Sequence, residues 1–457
     1  MCEIINAEIA GGTITSVEEA VGFLNWSFLA HRMRSNPSYY GVPSGSDIDV
    51  QSALLSITNE TVARLARSGC VNQTDETGQL SATILGVASC SYCLSHKTPR
   101  QMQIGVRECR KIVQKDTDSV KTLGLGQQPL DEVCLAWLLY TLCNTHEFDD
   151  LPVRHNDEII NEALSRKNRW GADTQALLMG VQPFREPDSY ANPHTKAFLL
   201  VQAFLSRIRL PTSDYINDTK SVMESIPRLL AAMEFIAEGE RAAAGSFDLL
   251  TQFCRARQYI ETRSFPDQDP LLQLGLSETT IRNITMGTRK KKNKIQQIAG
   301  LRSLSRPDSL ALLHKVSRGG RVEADLDTAL DRLYAIPLLR LEEARATAEV
   351  DKATGQRIGK LRLQMELERS KPRSGLAKDV SFTILVGSFQ NRILLARASV
   401  RLTRWGKFTI HKDLSFVWST AVAHGGENTG SVTIRFILNE IRGFDAETSL
   451  SLQSQGD

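Results

Sequence analysis

The chain has 457 residues, 41% of them hydrophobic and 23% charged, with a net charge of +3. At about 150 residues per domain this length calls for roughly three packed units, and so ordinary a composition excludes wholesale disorder. No run approaches the ~20 apolar residues of a membrane-spanning helix, and the start lacks the basic and apolar regions of a secretion signal, so no membrane partner is expected.

Ser16-Val-Glu-Glu19 is a capping-box signature, in which the serine hydroxyl accepts from the third helical amide while Glu19 reaches back to the cap amide. A helix is predicted from there, with Val17, Val21, Leu24 and Phe28 at helical spacing, Trp26 and Met33 widening the apolar stripe, and Asn36-Pro37 ending it. A second helix, roughly Asp47 to Ser68, leads to short strands at Gly69 to Asn72 and Gln79 to Ile84, around the polar turn Asp75-Glu-Thr-Gly78. Helices followed by a small hairpin match a winged-helix plan for residues 1–86.

Residues 87–263 read as a helical bundle, with periodic segments at Val133 to Leu142, Glu158 to Leu164, Phe198 to Ile208 and Val222 to Ile236, separated by proline-bearing turns. Residues 264–322 form a smaller helical unit punctuated by Gly275, Gly287 and Gly300. Within it, residues 281–321 hold eleven Lys or Arg against one acid, Asp308, a local charge of +10 that leaves −7 elsewhere. Such a patch attracts polyanions, because neutralised phosphates release their counterions; a solvated loop is the competing reading of Arg289, Lys290, Lys291, Lys292 and Lys294. After about Leu326 the period becomes alternating. Leu361, Leu363, Met365 and Leu367 face one way and charged or amide residues the other, and further strands are read at Ser381 to Val386, Ile393 to Leu402, Lys407 to Ile410 and Ser431 to Ile437. Residues 326–452 are therefore expected to form a β-sandwich of immunoglobulin or fibronectin type. The fold class expected overall is multidomain α+β.

Catalytic chemistry finds no support. Gly355-Gln-Arg-Ile-Gly-Lys-Leu361 is one residue short of a phosphate-binding loop and lacks its Ser or Thr, so it is read as a turn into a strand. Asp131-Glu-Val-Cys134 resembles an acidic helicase box but opens an apolar helix, where the dipole favours carboxylates. Cys90, Cys93 and His96 have the spacing of half a zinc site without the other half, and are read as small buried helix residues. The eight cysteines show no disulfide framework, which fits a reducing compartment. No catalytic residue, metal or cofactor is assigned.

Several strings carry a resemblance. Asn6-Ala-Glu-Ile9, Thr13-Ile14, Phe23-Leu-Asn-Trp-Ser-Phe-Leu29 and Arg32-Met-Arg-Ser-Asn-Pro-Ser-Tyr-Tyr-Gly41 resemble the winged-helix domain of tandem-cassette superfamily-two RNA helicases. Leu151-Pro-Val-Arg-His155, His194-Thr-Lys-Ala-Phe-Leu-Leu-Val-Gln-Ala-Phe-Leu-Ser-Arg207, Phe382-Thr-Ile-Leu-Val-Gly387 and Gly443-Phe-Asp-Ala-Glu447 resemble the "Sec sixty-three" unit that follows it. The resemblance implies a bundle, a helix-loop-helix domain and a fibronectin-like sandwich serving motor domains elsewhere in a parent helicase. It also implies a ratchet helix along single-stranded RNA, here Val222 to Ile236, with Ser225 and Arg228 as contacts; a helix start capped by Ser225, with a solvated Arg228, is the alternative. Pro227 and Ala231 depart from active copies, and the chain stops soon after the sandwich. Both point to the regulatory C-terminal cassette of the spliceosomal "bad response to refrigeration" helicase, hence to a nuclear, non-catalytic module in splicing whose partners include the motor domains, a large spliceosomal scaffold and other splicing proteins. The same module of an activating-signal-cointegrator or meiotic crossover helicase is the alternative, as is a free-standing nucleic-acid-binding adaptor.

Overall fold

The change from 3.6-residue to two-residue apolar periodicity divides the elements of the chain. The computed structural model describes residues 1–74, 78–118, 130–171, 190–289, 298–316, 323–350, 354, 356–372, 380–417 and 430–454. Two units arise: residues 1–111, 136–202 and 210–239, and residues 112–135, 203–209 and 240–457.

The first unit begins with α1 (Cys2–Ala10), α2 (Val17–Asn25), α3 (Phe28–Ser35) and α4 (Asp47–Arg67), then the hairpin β1 (Val71–Gln73) and β2 (Leu80–Ala82). Ser16 caps α2 as expected, accepting from the Glu19 amide at 3.2 Å. The Glu19 carboxylate takes the Thr15 amide at 2.7 Å, one residue before the amide that the capping box leads one to expect. The stripe is corrected in a second respect. Trp26 ends α2 and Phe28 opens α3, so the single helix predicted is two, and its buried residues are Ala20, Leu24, Ala30 and Met33. These pack with Ile5, Ile9, Val50, Leu54, Val62 and Leu65 in one core.

Next along the chain come α5 (Ile84–Ser91), α6 (Thr98–Asp118), α7 (Leu130–Cys143), α8 (Asp157–Lys167), α9 (Pro193–Leu205) and α10 (Ser213–Gly239), of which the end of α6, the start of α7 and the end of α9 belong to the second unit. Thr83 caps α5 with its hydroxyl on two amides, so Ile84, expected in a strand, starts a helix. Ser225 and Pro227 lie in the middle of α10, which runs through the proline without a break. A helix starting at Ser225 is thereby excluded. Small side chains let α6 and α7 approach: the Trp137 indole donates to the Gly105 carbonyl at 2.9 Å, and a β-carbon at Gly105 would press into the Thr141 side chain.

In the second unit, α11 (Ser246–Thr262) precedes α12 (Glu278–Arg289), α13 (Ile298–Arg302), α14 (Arg306–Val316) and α15 (Glu323–Ala335). The switch to strands thus falls at Leu338 rather than Leu326, because Leu326, Leu330 and Leu333 form one buried helical stripe. Seven strands follow: β3 (Leu338–Val350), β4 (Arg357–Arg369), β5 (Val380–Ser388), β6 (Leu394–Leu402), β7 (Gly406–Val417), β8 (Gly430–Leu438) and β9 (Ala446–Ser454). Their hydrogen-bonded order is β6-β5-β8-β9-β3-β4-β7. All pairings are antiparallel except β3 with β9, which are parallel over only two residue pairs. Leu361, Leu363, Met365 and Leu367 are buried, as their alternation requires. They share a core with Ile384, Val386, Val432 and Ile434 from the other arm of the sheet order, and with Leu326, Leu330 and Leu333 of α15.

Candidate functional site

In the first unit, the segments around Leu151 to His155 and His194 to Arg207 meet at a buried cluster of charge. Arg154 precedes α8, Asp157 opens it, Lys196 lies in the first turns of α9 and Asp218 in those of α10. Lys196 is 0% exposed and distributes its three N–H groups among the Pro152 carbonyl at 2.7 Å, Asp157 at 2.6 Å and Asp218 at 2.8 Å. Arg154 grips the two oxygens of Asp218 at 2.6 and 3.1 Å, and its own amide donates to Asp157 at 3.0 Å. The Tyr215 ring lies 4.6 Å from the Lys196 nitrogen, and its hydroxyl donates to Asn161 at 2.8 Å. Burial pushes the Asp218 carboxyl up, but the hydrogen bonds from Arg154 and Lys196 outweigh it and hold the group below the usual carboxylate range. Burial, aided by Asp157 and Asp218, raises the Tyr215 hydroxyl above its ordinary value. His194 is tied down as well: Nδ1 donates to the Cys143 carbonyl at 2.9 Å and Nε2 lies 3.1 Å from Asp149. A buried lysine between two buried aspartates, with the exposed Arg154 closing over one of them, can fix three helices; the cluster offers no poised acid, base or nucleophile.

The second unit has hubs of the same kind. Asp131, in the first turn of α7 as the sequence suggested, accepts from Gln252, Arg255 and Tyr259 at 2.9, 2.8 and 3.1 Å. Asp248 accepts from Arg392 and Arg435, whose guanidinium groups lie 4.9 and 4.7 Å from the Phe247 ring. Burial works against the Asp248 charge, yet the two arginines keep its carboxyl below the ordinary range. Next to the closing Gly443-Phe-Asp-Ala-Glu447 string, Arg442 donates to Ser264 and to the carbonyls of Phe265, Pro266 and Gln268. Gly443 has φ 85° and sits where a β-carbon would meet Ile298 and Pro270.

The expected nucleic-acid contacts fall in two places. Arg228 of α10 donates to the carbonyls of Tyr92 and Cys93 at 2.9 and 2.7 Å, at the end of α5, and lies 3.9 Å from Glu147. Ser225 returns its hydroxyl to the Ser221 carbonyl at 3.3 Å. Arg289 is the last residue of α12, while Lys290, Lys291, Lys292 and Lys294 lie outside the described residues. Of the half zinc site, Cys93 is exposed beyond the end of α5, with φ 49°, and His96 pairs with Glu3, so both differ from buried helix residues. Among the described residues no group of three or more His, Cys, Asp or Glu is placed to hold a metal ion.

Sequence periodicity missed the most conspicuous surface of the first unit. Trp26 is 92% exposed, Ile48 82%, and Phe28 and Tyr39 73% each. Arg34 joins their supports: its guanidinium reaches Asn25 at the end of α2 at 2.6 Å and Asp47 at the start of α4 at 3.0 Å. Trp26 and Ile48 follow those two residues directly, so the clamp holds both on one neighbourhood. Phe28 opens α3 and Tyr39 lies in the 3-10 turn after it, so all four exposed side chains fall in one stretch of the winged helix; several large exposed apolar side chains so grouped mark a candidate interaction site, whereas single ones need no explanation. The signal was present in the dense aromatic string Phe23 to Phe28, but a helical template assigned it to the core.

A family model described as the Sec63 Brl domain matches residues 121–451, well over half of the chain. The chain belongs to the Sec63 Brl domain family. A winged helix-turn-helix domain model matches residues 1–75, which contain the exposed aromatic surface, while the charged hubs lie within the Sec63 Brl match. Among curated relatives, the DExH-box ATP-dependent RNA helicase DExH14 of Arabidopsis thaliana is 32% identical over 58% of this chain and 10% of its own length. Activating signal cointegrator 1 complex subunit 3 of Mus musculus is 31% identical over 52% and 9%. The RQC trigger complex helicase SLH1 of Saccharomyces cerevisiae is 31% identical over 64% and 14%. The matched stretch thus spans about a tenth of these relatives. A solved alkylpurine DNA glycosylase of Pseudomonas fluorescens aligns over 77% of this chain and 99% of its own at 11% identity, but a TM-score of 0.17 carries no argument.

Proposed function

We propose that this chain is the accessory module of an RNA helicase, and that it docks against the motor domains of its parent through the surface around Trp26, Phe28, Tyr39 and Ile48. That surface is the observation that carries the reading, since the Lys196, Asp131 and Asp248 clusters are bonded within their own units while these side chains are apolar and exposed. The module regulates without hydrolysing ATP itself. The test is ATP turnover by the motor segment encoded in the parent gene, with and without the purified chain. A saturable change in turnover supports the reading; turnover tracking this chain alone through repurification refutes it.

Its parts follow the four-way division into winged helix at 1–86, bundle at 87–263, a basic helical unit from 264 and a fibronectin-like sandwich up to 452, with the last boundary moved from 326 to Leu338 because α15 is helical. The strand order supports the last of these, because β3-β4-β7 and β6-β5-β8-β9 have the membership of the two sheets of such a sandwich, joined at one edge by the short parallel pairing. Single-stranded RNA is contacted by the basic stretch Arg289 to Lys294, with Ser225 and Arg228 of α10 as the second contact. Replacing Arg289, Lys290, Lys291 and Lys292 by Ala is expected to weaken RNA binding and flatten its salt dependence.

For the parent, our first reading is a nuclear spliceosomal helicase, with splicing proteins as partners of the sandwich. The second is a helicase of the activating-signal-cointegrator type, favoured by the names of the relatives. Recovery of small nuclear RNAs crosslinked to the full-length parent supports the first; their absence supports the second.

A further inference from the structure

Within the second unit, a cavity of about 630 Å³ opens where the end of α11, the turn at Gln273 and Leu274, α15 and the mouth of the sheet converge. Its wall is largely apolar, with Leu274, Ile336, Val380, Trp405 and Ile441 among the lining residues. Four arginines also line it, Arg207, Arg263, Arg332 and Arg369, against two acids, Glu261 and Glu440. Glu440 is occupied, accepting from the Ser381 amide and hydroxyl at 2.8 and 2.7 Å.

The arginines differ in how they are held. Arg369 is buried, stacks 3.7 Å from the Trp405 ring centroid and donates to the Leu402 carbonyl, so it builds the wall. The other three are exposed at the rim. Arg207 donates to the Thr262 carbonyl, Arg332 to the Leu274 carbonyl, and Arg263 lies over the Phe204 ring at 4.2 Å. None of these three is ion-paired among the described residues. Arg207 and Arg263 also take left-handed backbone conformations, φ 55° and 47°, which L-residues seldom adopt. Each rim guanidinium is therefore oriented by one neutral contact and retains N–H groups for an anion.

We propose that this cavity is a docking site for an acidic peptide segment that inserts one apolar side chain and sets carboxylates against Arg207, Arg263 and Arg332. The apolar lining favours a peptide over single-stranded RNA, which would call for a basic groove that follows a phosphate backbone and open aromatic faces for successive bases. Here Trp405, the sole aromatic residue lining it among the described residues, already has one face covered by Arg369. The volume matches that of pockets that enclose small ligands or a few side chains.

The test is fluorescence anisotropy of a short labelled peptide of Asp and Glu residues around one central Phe, titrated with the full chain. Saturable binding is expected. Arg263→Gln with Arg332→Gln should weaken it by about tenfold or more. Ala335→Trp, which fills the cavity from its wall, should abolish it, and replacing the peptide's Phe by Ser should weaken it to a similar degree. Thermal unfolding establishes that each variant is folded; should Ala335→Trp unfold, the peptide lacking Phe tests the cavity by itself. No saturable binding, equal affinity for the double variant, or equal affinity for the peptide lacking Phe overturns the proposal. So does displacement of the peptide by oligouridylate with the same dependence on Arg263 and Arg332, which would mark the rim as an RNA contact.

Discussion

The Lys196 cluster and the Trp26 surface invert the usual distribution of residue types in opposite directions. One places a lysine and two aspartates in the interior, where each must be satisfied by its neighbours, with the exposed Arg154 gripping Asp218 from outside. The other leaves a tryptophan and an isoleucine almost wholly in solvent. The geometry explains why only the second is incomplete. Every N–H of Lys196 has an acceptor within 2.8 Å, so the cluster needs nothing from outside. The Trp26 surface has its supports clamped by Arg34 but no apolar cover among the described residues of the first unit. The buried charge is thus explained by its own unit, whereas the exposed aromatic is what the proposed partner accounts for.

That contrast can be broken by substitution. Lys196→Met leaves Asp157 and Asp218 buried without their shared cation, and should cost about 3–5 kcal/mol of stability in urea unfolding. A cost within about 0.5 kcal/mol would show that the cluster is far wetter than its geometry implies. Gly105→Ala should lose about 1–3 kcal/mol from overpacking, because Thr141 is buried and its hydroxyl is fixed on the Trp137 carbonyl, and this outweighs the roughly 0.5–1 kcal/mol that alanine contributes in a helix. Asp248→Asn addresses pH. The Asp248 carboxyl is lowered in the folded state, so its contribution is complete above the unfolded value of about 3.9 and disappears as pH falls through the folded value below it. The variant should therefore show a shallower loss of stability below about pH 4. Smallest of all, Trp26→Ser should change the stability of the chain by no more than about 0.5 kcal/mol in the same urea experiment, since the side chain makes no core contact.

The sequence made local chemistry legible and long-range partnership opaque. The Ser16 cap, the Asn36-Pro37 stop, the position of Asp131 and the alternation from Leu361 to Leu367 each depend on neighbours within a turn or a strand, and the structure has them where they were read. Arg154 and Lys196 could be seen only as residues of two motifs, and Asp218 in neither, because their meeting depends on three helices packing. Trp26 was misassigned because a 3.6-residue template cannot register the break at Ser27 that turns one predicted helix into two. Pro227 misled in the other direction, since a helix already anchored on both sides by Tyr215, Val222, Leu229 and Met233 carries a proline through. Strands β3 and β9 were passed over because charged residues interrupt the apolar alternation of the former and serines and threonine that of the latter.

The central claim is that the Trp26 surface is completed by the motor segment of the same helicase. Its most direct measurement is calorimetric titration of that segment with the chain and with the Trp26→Ser, Ile48→Ser double variant. The account predicts saturable association that the variant weakens by about tenfold or more while its unfolding midpoint stays where it was. Association of equal strength in both would contradict it.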